Sequence, residues 1–203
     1  MKKLFAVILA VLMLLALGAC GEKKEAAVGG WSAAEGAALT EEARAAFEKA
    51  TEGMVGVDYV PVALLGTQLV AGTNYAVLCE ARAVVPDAQP YYAIVFVYRD
   101  LQGGAELLKI VDLDLGAIAE SGKVEPAEPV QELLSGGWSV DRESSVELDG
   151  AILHLGGQVV AGMNHCVLCE GNELVFVYEN LEGRTEVTAR AAIDLGALIE
   201  AEG

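Results

Sequence analysis

The sequence predicts an α+β chain: an antiparallel sheet wrapped around one helix, followed by a second antiparallel sheet repeat that has no helix. Three observations predict it. One sequence unit is written twice, and internal repeats decide architecture before any local reading does. Only the first copy holds an amphipathic helical stretch. The rest of both copies is runs of Val, Ile, Leu and Tyr broken by turn residues, the pattern of short strands.

The repeat is explicit. Gly29-Gly30-Trp31-Ser32 recurs as Gly136-Gly137-Trp138-Ser139. Gln68-Leu69-Val70-Ala71-Gly72-Thr73-Asn74 recurs as Gln158-Val159-Val160-Ala161-Gly162-Met163-Asn164. Val77-Leu78-Cys79-Glu80 matches Val167-Leu168-Cys169-Glu170, and Val95-Phe96-Val97-Tyr98 matches Val175-Phe176-Val177-Tyr178. Asp114-Leu115-Gly116-Ala117-Ile118 returns as Asp194-Leu195-Gly196-Ala197-Leu198. The offset falls from 107 at the Trp pair to 90 at the Gln pair and 80 at the Phe pair, so copy two has lost two segments.

The first loss removes the helix. In copy one, Thr40 is a good N-cap, and Glu41 and Glu42 stand in the first turn, where the helix dipole favours anions. Ala43, Ala46, Phe47, Ala50 and Met54 follow helical spacing and form one apolar stripe, ended by Gly53 and Gly56. Copy two has only Ser139 to Asp149 in that place, too short and turn-like for such a helix. The second loss removes Val84 to Gln89 and its neighbours, a loop between strands. Four antiparallel strands are expected in copy one: Val57 to Ala71, Tyr75 to Val85, Tyr91 to Leu101 and Ala105 to Leu115. Gly103-Gly104 and Glu182-Gly183 read as hairpin turns.

Copy two keeps apolar residues on both strand faces: Leu174, Phe176 and Tyr178 on one, Val175 and Val177 on the other. A sheet without its helix must cover that face some other way. Packing against the copy-one sheet, or against a second molecule in a homodimer, is the expectation.

The N-terminus points to export. Lys2 and Lys3 precede an uncharged run from Leu4 to Ala19, too short to span a bilayer as a helix and suited to a signal peptide. Leu17-Gly18-Ala19-Cys20 resembles a bacterial lipobox, which implies lipidation of Cys20 and anchoring in the cell envelope on the extracytoplasmic side. The expected division is a signal peptide (1–19), a lipidated tether (20–28), repeat one (29–119), a linker with Pro126 and Pro129 (120–135) and repeat two (136–203). The formal charge of the 203-residue chain is −17, and losing the leader's two lysines takes it to −19. Such a surface repels phosphate backbones, so nucleic acid is excluded as a partner, and the lipid rather than charge is expected to hold the chain to the membrane.

Few residues suggest chemistry. Cys79, Cys166 and Cys169 are an odd set beyond Cys20, unlike a disulfide framework. Cys166-x-x-Cys169 beside His165 invites a metal reading, but on a strand positions i and i+3 face opposite ways. Buried core thiols are expected, with no metal and no cofactor. His154, Asp112, Asp114 and Asp194 read as solvated or turn residues, and Trp31 and Trp138 as caps on the sheet. No nucleophile is paired with a base, so no enzyme is expected.

One helix followed by a meander whose first hairpin is Gln-x-Val-x-Gly resembles the cystatin family of cysteine-protease inhibitors, close to its stefin branch. The residues that carry the likeness are Gly29 and Gly30 before the helix, Gln68 to Gly72 continuing as Thr73-Asn74-Tyr75, and the hairpin Leu101-Gln102-Gly103-Gly104. The resemblance runs over 29–118, and over 136–198 without the helix. It implies reversible binding of papain-like cysteine proteases by a wedge made of an N-terminal trunk and two hairpin tips. The implied contacts are Gly29, Gly30, Gln68, Leu69, Val70, Ala71, Gly72, Leu101, Gln102 and Gly103. In copy two they are Gly137, Gln158, Val159, Val160, Ala161, Gly162 and Leu181. Gly72 permits a tight turn, and Val70 and Ala71 give a small apolar tip. Neither copy has the aromatic residue that secreted cystatins carry on the second hairpin. Cys20 to Gly29 spans at most about 30 Å, so a protease held by copy one would sit against the membrane. The alternative is a non-inhibitory cystatin-fold module of the envelope with an interaction or structural role.

Overall fold

A computed structural model describes residues 29–122 and 136–201. The leader, Cys20 and its tether, and most of the expected linker lie outside the described residues. Among the described residues, ten strands form two five-stranded antiparallel sheets, accompanied by three α-helices.

Sheet one runs β1 (Trp31–Ala33), β2 (Val57–Val70), β3 (Gly72–Ala83), β4 (Tyr91–Arg99) and β5 (Ala105–Leu113), in that spatial order. Helix α1 (Glu41–Ala50) begins where the sequence places it, with the Thr40 hydroxyl accepting from Ala43 N at 3.1 Å. Ala43, Ala46 and Phe47 bury its stripe against Leu64, Tyr75, Val77, Cys79, Val95 and Val97 on one face of the sheet. Pro61 sits at a register shift in β2, where a missing N–H costs the ladder least. Strand β1 is an addition to the sequence reading. It pairs only Trp31–Ala33 with Gln68–Gly66, too short a run to carry a periodic signal. Residues expected to finish the last strand and open the linker instead form helix α2 (Leu115–Ser121), capped by the Asp114 carboxylate.

Sheet two repeats the order: β6 (Ser139–Val140), β7 (Ala151–Val160), β8 (Gly162–Cys169), β9 (Glu173–Glu179) and β10 (Thr185–Ala192), followed by α3 (Leu195–Glu200), capped by Asp194. One face presents Val167, Cys169, Val175 and Val177. A strap running from Asp141 to Asp149 covers that face through Val146 and Leu148, in place of the lost helix.

The other faces of the two sheets pack on each other. Ala76, Leu78, Ile94 and Phe96 from sheet one share a core with Leu155, Cys166, Leu168, Leu174 and Phe176 from sheet two. The face that lost its helix is thus closed by the strap, and not by the copy-one sheet that the sequence reading expected; it is the opposite face that packs on copy one.

The packing is reciprocal. Tyr92 Oη donates to Leu155 O at 2.8 Å, and its repeat counterpart Asn172 donates through Nδ2 to Leu65 O at 3.0 Å. Each short helix crosses to the other copy. Leu115 of α2 lies against Gly156, where a Cβ would come within 3.2 Å of it, and Leu195 of α3 lies against Gly66, where the gap would be 2.9 Å. Gly116 approaches the Trp138 ring, and Gly196 approaches the Trp31 ring. The sandwich therefore has an approximate internal twofold.

Those contacts fix the direction of each sheet. Gly116 follows Leu113, which pairs with Tyr92 at the end of sheet one far from its turns. Yet it approaches the ring of Trp138, beside Ser139, whose partner Gly157 is four residues from Ala161 at the hairpin end of sheet two. Gly196 and Trp31 repeat this in reverse, since Trp31 pairs with Gln68 beside the sheet-one turn. The two Gln-x-Val-x-Gly turns consequently lie at opposite ends of the sandwich, roughly 40 Å apart at 3.3–3.4 Å per residue.

Candidate functional site

At the hairpin end of sheet one, three segments converge. The chain enters at Gly29, whose N–H donates to Leu69 O at 3.2 Å. The β2–β3 turn is Val70-Ala71-Gly72, and the β4–β5 turn runs from Asp100 to Gly104. Thr73 pairs with Arg99, which brings the two turns side by side.

Gln68 is the tie between trunk and turn. Its Nε2 donates to Gly29 O at 2.8 Å, and its Oε1 accepts from Asn74 Nδ2 at 2.7 Å. The amide is thereby fully oriented, since donor and acceptor ends both have partners. Tyr98 braces the turn from the neighbouring strand, its hydroxyl donating to Ala71 O at 2.6 Å. Gly72 has φ +139°, and a Cβ there would run into Arg99 O. No other residue fits this turn without moving the β4 backbone. In the second turn, Asp100 Oδ1 accepts from Gln102 N and Gly104 N at 2.8 and 2.7 Å. The tips left outside are apolar: Leu69 is 51% exposed and Leu101 79%. Every site residue expected for copy one lies at this end. Asn74 and Tyr98 were missed as site residues, although both sit inside the repeated blocks.

Copy two builds the same edge. Gly136 N donates to Val159 O at 3.2 Å, and Gln158 Nε2 to Gly136 O at 2.8 Å. Asn164 Nδ2 donates to Gln158 Oε1 at 2.9 Å, and Tyr178 Oη to Ala161 O at 2.5 Å. Gly162 has φ +131°. Asn180 Oδ1 caps the second turn by accepting from Glu182 N and Arg184 N. Val159 and Leu181 are its exposed tips. Gly136 accepts the trunk hydrogen bond, and the expected Gly137 stands exposed beside it, as Gly30 does beside Gly29.

The copies differ behind the edge. His154 and His165 stand where copy one has Leu64 and Tyr75 beneath its helix. His154 reads as solvated in the sequence, but it is buried, as is His165. His154 Nδ1 contacts Asp141 O at 2.6 Å, its Nε2 meets His165 Nδ1 at 3.0 Å, and His165 Nε2 meets Glu179 Oε2 at 3.1 Å. A carbonyl and a carboxylate can only accept, so both ends of this chain need an N–H. Hydrogen bonds from Ser144 and the strap backbone hold the Asp141 carboxyl below the usual carboxylate range. His165 and Glu179 line a shallow depression with Ser144, Met163 and Leu181, beside the copy-two turn.

The thiols are core groups. Cys166 packs between the sheets and Cys169 under the strap, on opposite faces of β8, and Cys79 lies under α1. All three are free, and burial raises each, Cys79 to about 12. Trp31 and Trp138 make edge-to-face contacts with Phe96 and Phe176 at 5.5 and 5.4 Å, which makes them caps on the inter-sheet core. Among the described residues, no group of three or more His, Cys, Asp or Glu is arranged to hold a metal, and no helix is long and apolar enough to cross a membrane. Compared with known proteins, the chain matches no protein-family model, no curated protein and no solved structure.

Proposed function

We propose that this chain is a cystatin-like, lipid-anchored protein of the bacterial envelope that binds papain-like cysteine proteases reversibly, without catalysis of its own. The observation that carries the reading is the edge of sheet one. Trunk, first turn and second turn stand in one row, tied by Gln68 to Gly29 and ending in exposed Leu69 and Leu101. Such a row has the shape and chemistry of a wedge. Its turns are held by internal hydrogen bonds, so little ordering entropy is lost on binding. Its tips are apolar and enter a cleft without stranding polar groups. The helix on one sheet face matches the arrangement the resemblance implies.

A non-inhibitory module with the same fold is the second reading, favoured by the second turn. Leu101 is its only large apolar side chain, whereas aromatic anchors dominate most tight interfaces. Titration of papain with lipid-free 21–203 chain separates the two. Inhibition is expected, and Leu69→Glu with Leu101→Glu should weaken it. Full papain activity at micromolar protein would sink the inhibitor reading for papain.

A further inference from the structure

We infer that the chain is bivalent: the edge of copy two is a second, equally built recognition surface, directed away from the first, and it takes a partner of the same class. The inference rests on the inhibitor reading above and extends it to a surface that the loss of the helix argues against.

The two edges agree bond by bond. Gln68–Gly29 and Gln158–Gly136 are both 2.8 Å, and the Asn74 and Asn164 braces are 2.7 and 2.9 Å. The Tyr98 and Tyr178 hydroxyls reach the same carbonyl of each turn, at 2.6 and 2.5 Å. Both turn glycines hold a left-handed φ that closes against the next strand. The exposed tips correspond too, with Leu69 and Val159 on the first turns and Leu101 and Leu181, 79% and 82% exposed, on the second.

Elsewhere the copies have drifted. Copy two has exchanged a helix for a strap, Tyr92 for Asn172, and an apolar pair for His154 and His165. Agreement holds at the edges, at most of the reciprocal contacts between copies, and at buried positions such as Val77, Cys79, Val95 and Val97, which recur as Val167, Cys169, Val175 and Val177. The sandwich needs those reciprocal contacts, but it does not need Val159 and Leu181 in solvent, since neither packs on the core.

Helix loss also leaves the second edge intact for a mechanical reason. Every brace of the edge lies within the sheet or its turns. In copy one none of these braces comes from α1, whose Lys49 Nζ donates to Gly103 O at an exposed site. The face that lost its helix is closed by the strap, with Asp141 N donating to Leu155 O and His154 meeting Asp141 O. Because the edges lie at opposite ends, two partners can approach without sharing space.

The test is stoichiometry. Papain is added to 21–203 chain, which retains every described residue, and complexes are counted by calorimetry and by light-scattering mass. Two papain molecules per chain are expected. Leu69→Glu with Leu101→Glu should leave one, Val159→Glu with Leu181→Glu should leave one, and all four changes together none. These positions are exposed, and an unchanged melting temperature verifies folding. One papain per chain, lost with either pair of changes alone, would overturn bivalence and leave the inhibitor reading standing. No complex at all would overturn both.

Discussion

Copy one and copy two began as the same unit, and they now solve one problem in two ways. Each sheet has two apolar faces. Copy one covers its outer face with a ten-residue helix whose Phe47 is buried to 3% exposure. Copy two covers the equivalent face with Val146 and Leu148 on a strap, and places a buried polar chain where copy one has Leu64 and Tyr75. The inner faces have exchanged residues, Tyr92 for Asn172 and Ala76 for Cys166, but keep the same contacts, because each covers the other. A duplicated sheet is free to change what it alone covers and is held where its partner depends on it.

The largest effect should come from separating the copies. Residues 136–203 alone would expose Leu155, Leu168, Leu174 and Phe176 and lose the contacts of α2, so the fragment should fail to fold. A cooperative melt and dispersed NMR spectrum from that fragment would show that the copies are independent. Next, Phe47→Ala should destabilise the chain by about 3–5 kcal/mol in urea unfolding, as for other large aromatic truncations. Leu148→Ala, on the half-exposed strap, should cost less than about 2 kcal/mol. Equal costs would mean that the strap is a full substitute for the helix.

The histidine chain sets a finer contrast. His165→Ala leaves His154 Nε2 without its buried partner and should cost about 1–3 kcal/mol. The pair His154→Leu with His165→Tyr restores the residues of copy one and should cost less than the two single changes summed, a coupling readable in a double-mutant cycle. Additive losses would show that the two rings act separately. The smallest contrast concerns the thiols. With its thiol raised to about 12, Cys79 is almost wholly protonated at pH 8, so its reaction with a disulfide reagent should wait for unfolding. Cys166 and Cys169, also raised by burial, should behave alike despite lying in the copy without the helix. Rapid labelling of Cys169 alone in the native chain would mean that the strap opens.

Local features were legible in the sequence. The Thr40 cap, the stripe through Phe47 and both glycine turns follow from spacings of a few residues, and each is where the spacing puts it. So is the division of Cys166 and Cys169 between faces, which follows from strand periodicity alone. The residues of the two edges were legible because the repeat displayed them twice. What the sequence hid depends on register and on distant packing. The β1 strand is three residues paired to an edge. His154 and His165 are eleven residues apart and meet only because a register shift beside His154 brings β7 and β8 into that alignment. Asp114 and Asp194 were visible as turn residues, but the helices they start are too short to announce themselves. Nothing local signals that those helices cross to the other copy.

That crossing has a kinetic consequence. Asn172 reaches Leu65 across 107 residues of chain, and Leu195 closes on Gly66 from still farther along. Contacts so distant in sequence raise contact order and slow folding. The chain emerges from its N-terminus, so the first sheet exists for a time with Ala76, Leu78, Ile94 and Phe96 bare and no partner yet made. Neither half can finish before the last helix arrives. The interval during synthesis, rather than the finished sandwich, is therefore where this molecule is most exposed to aggregation and proteolysis.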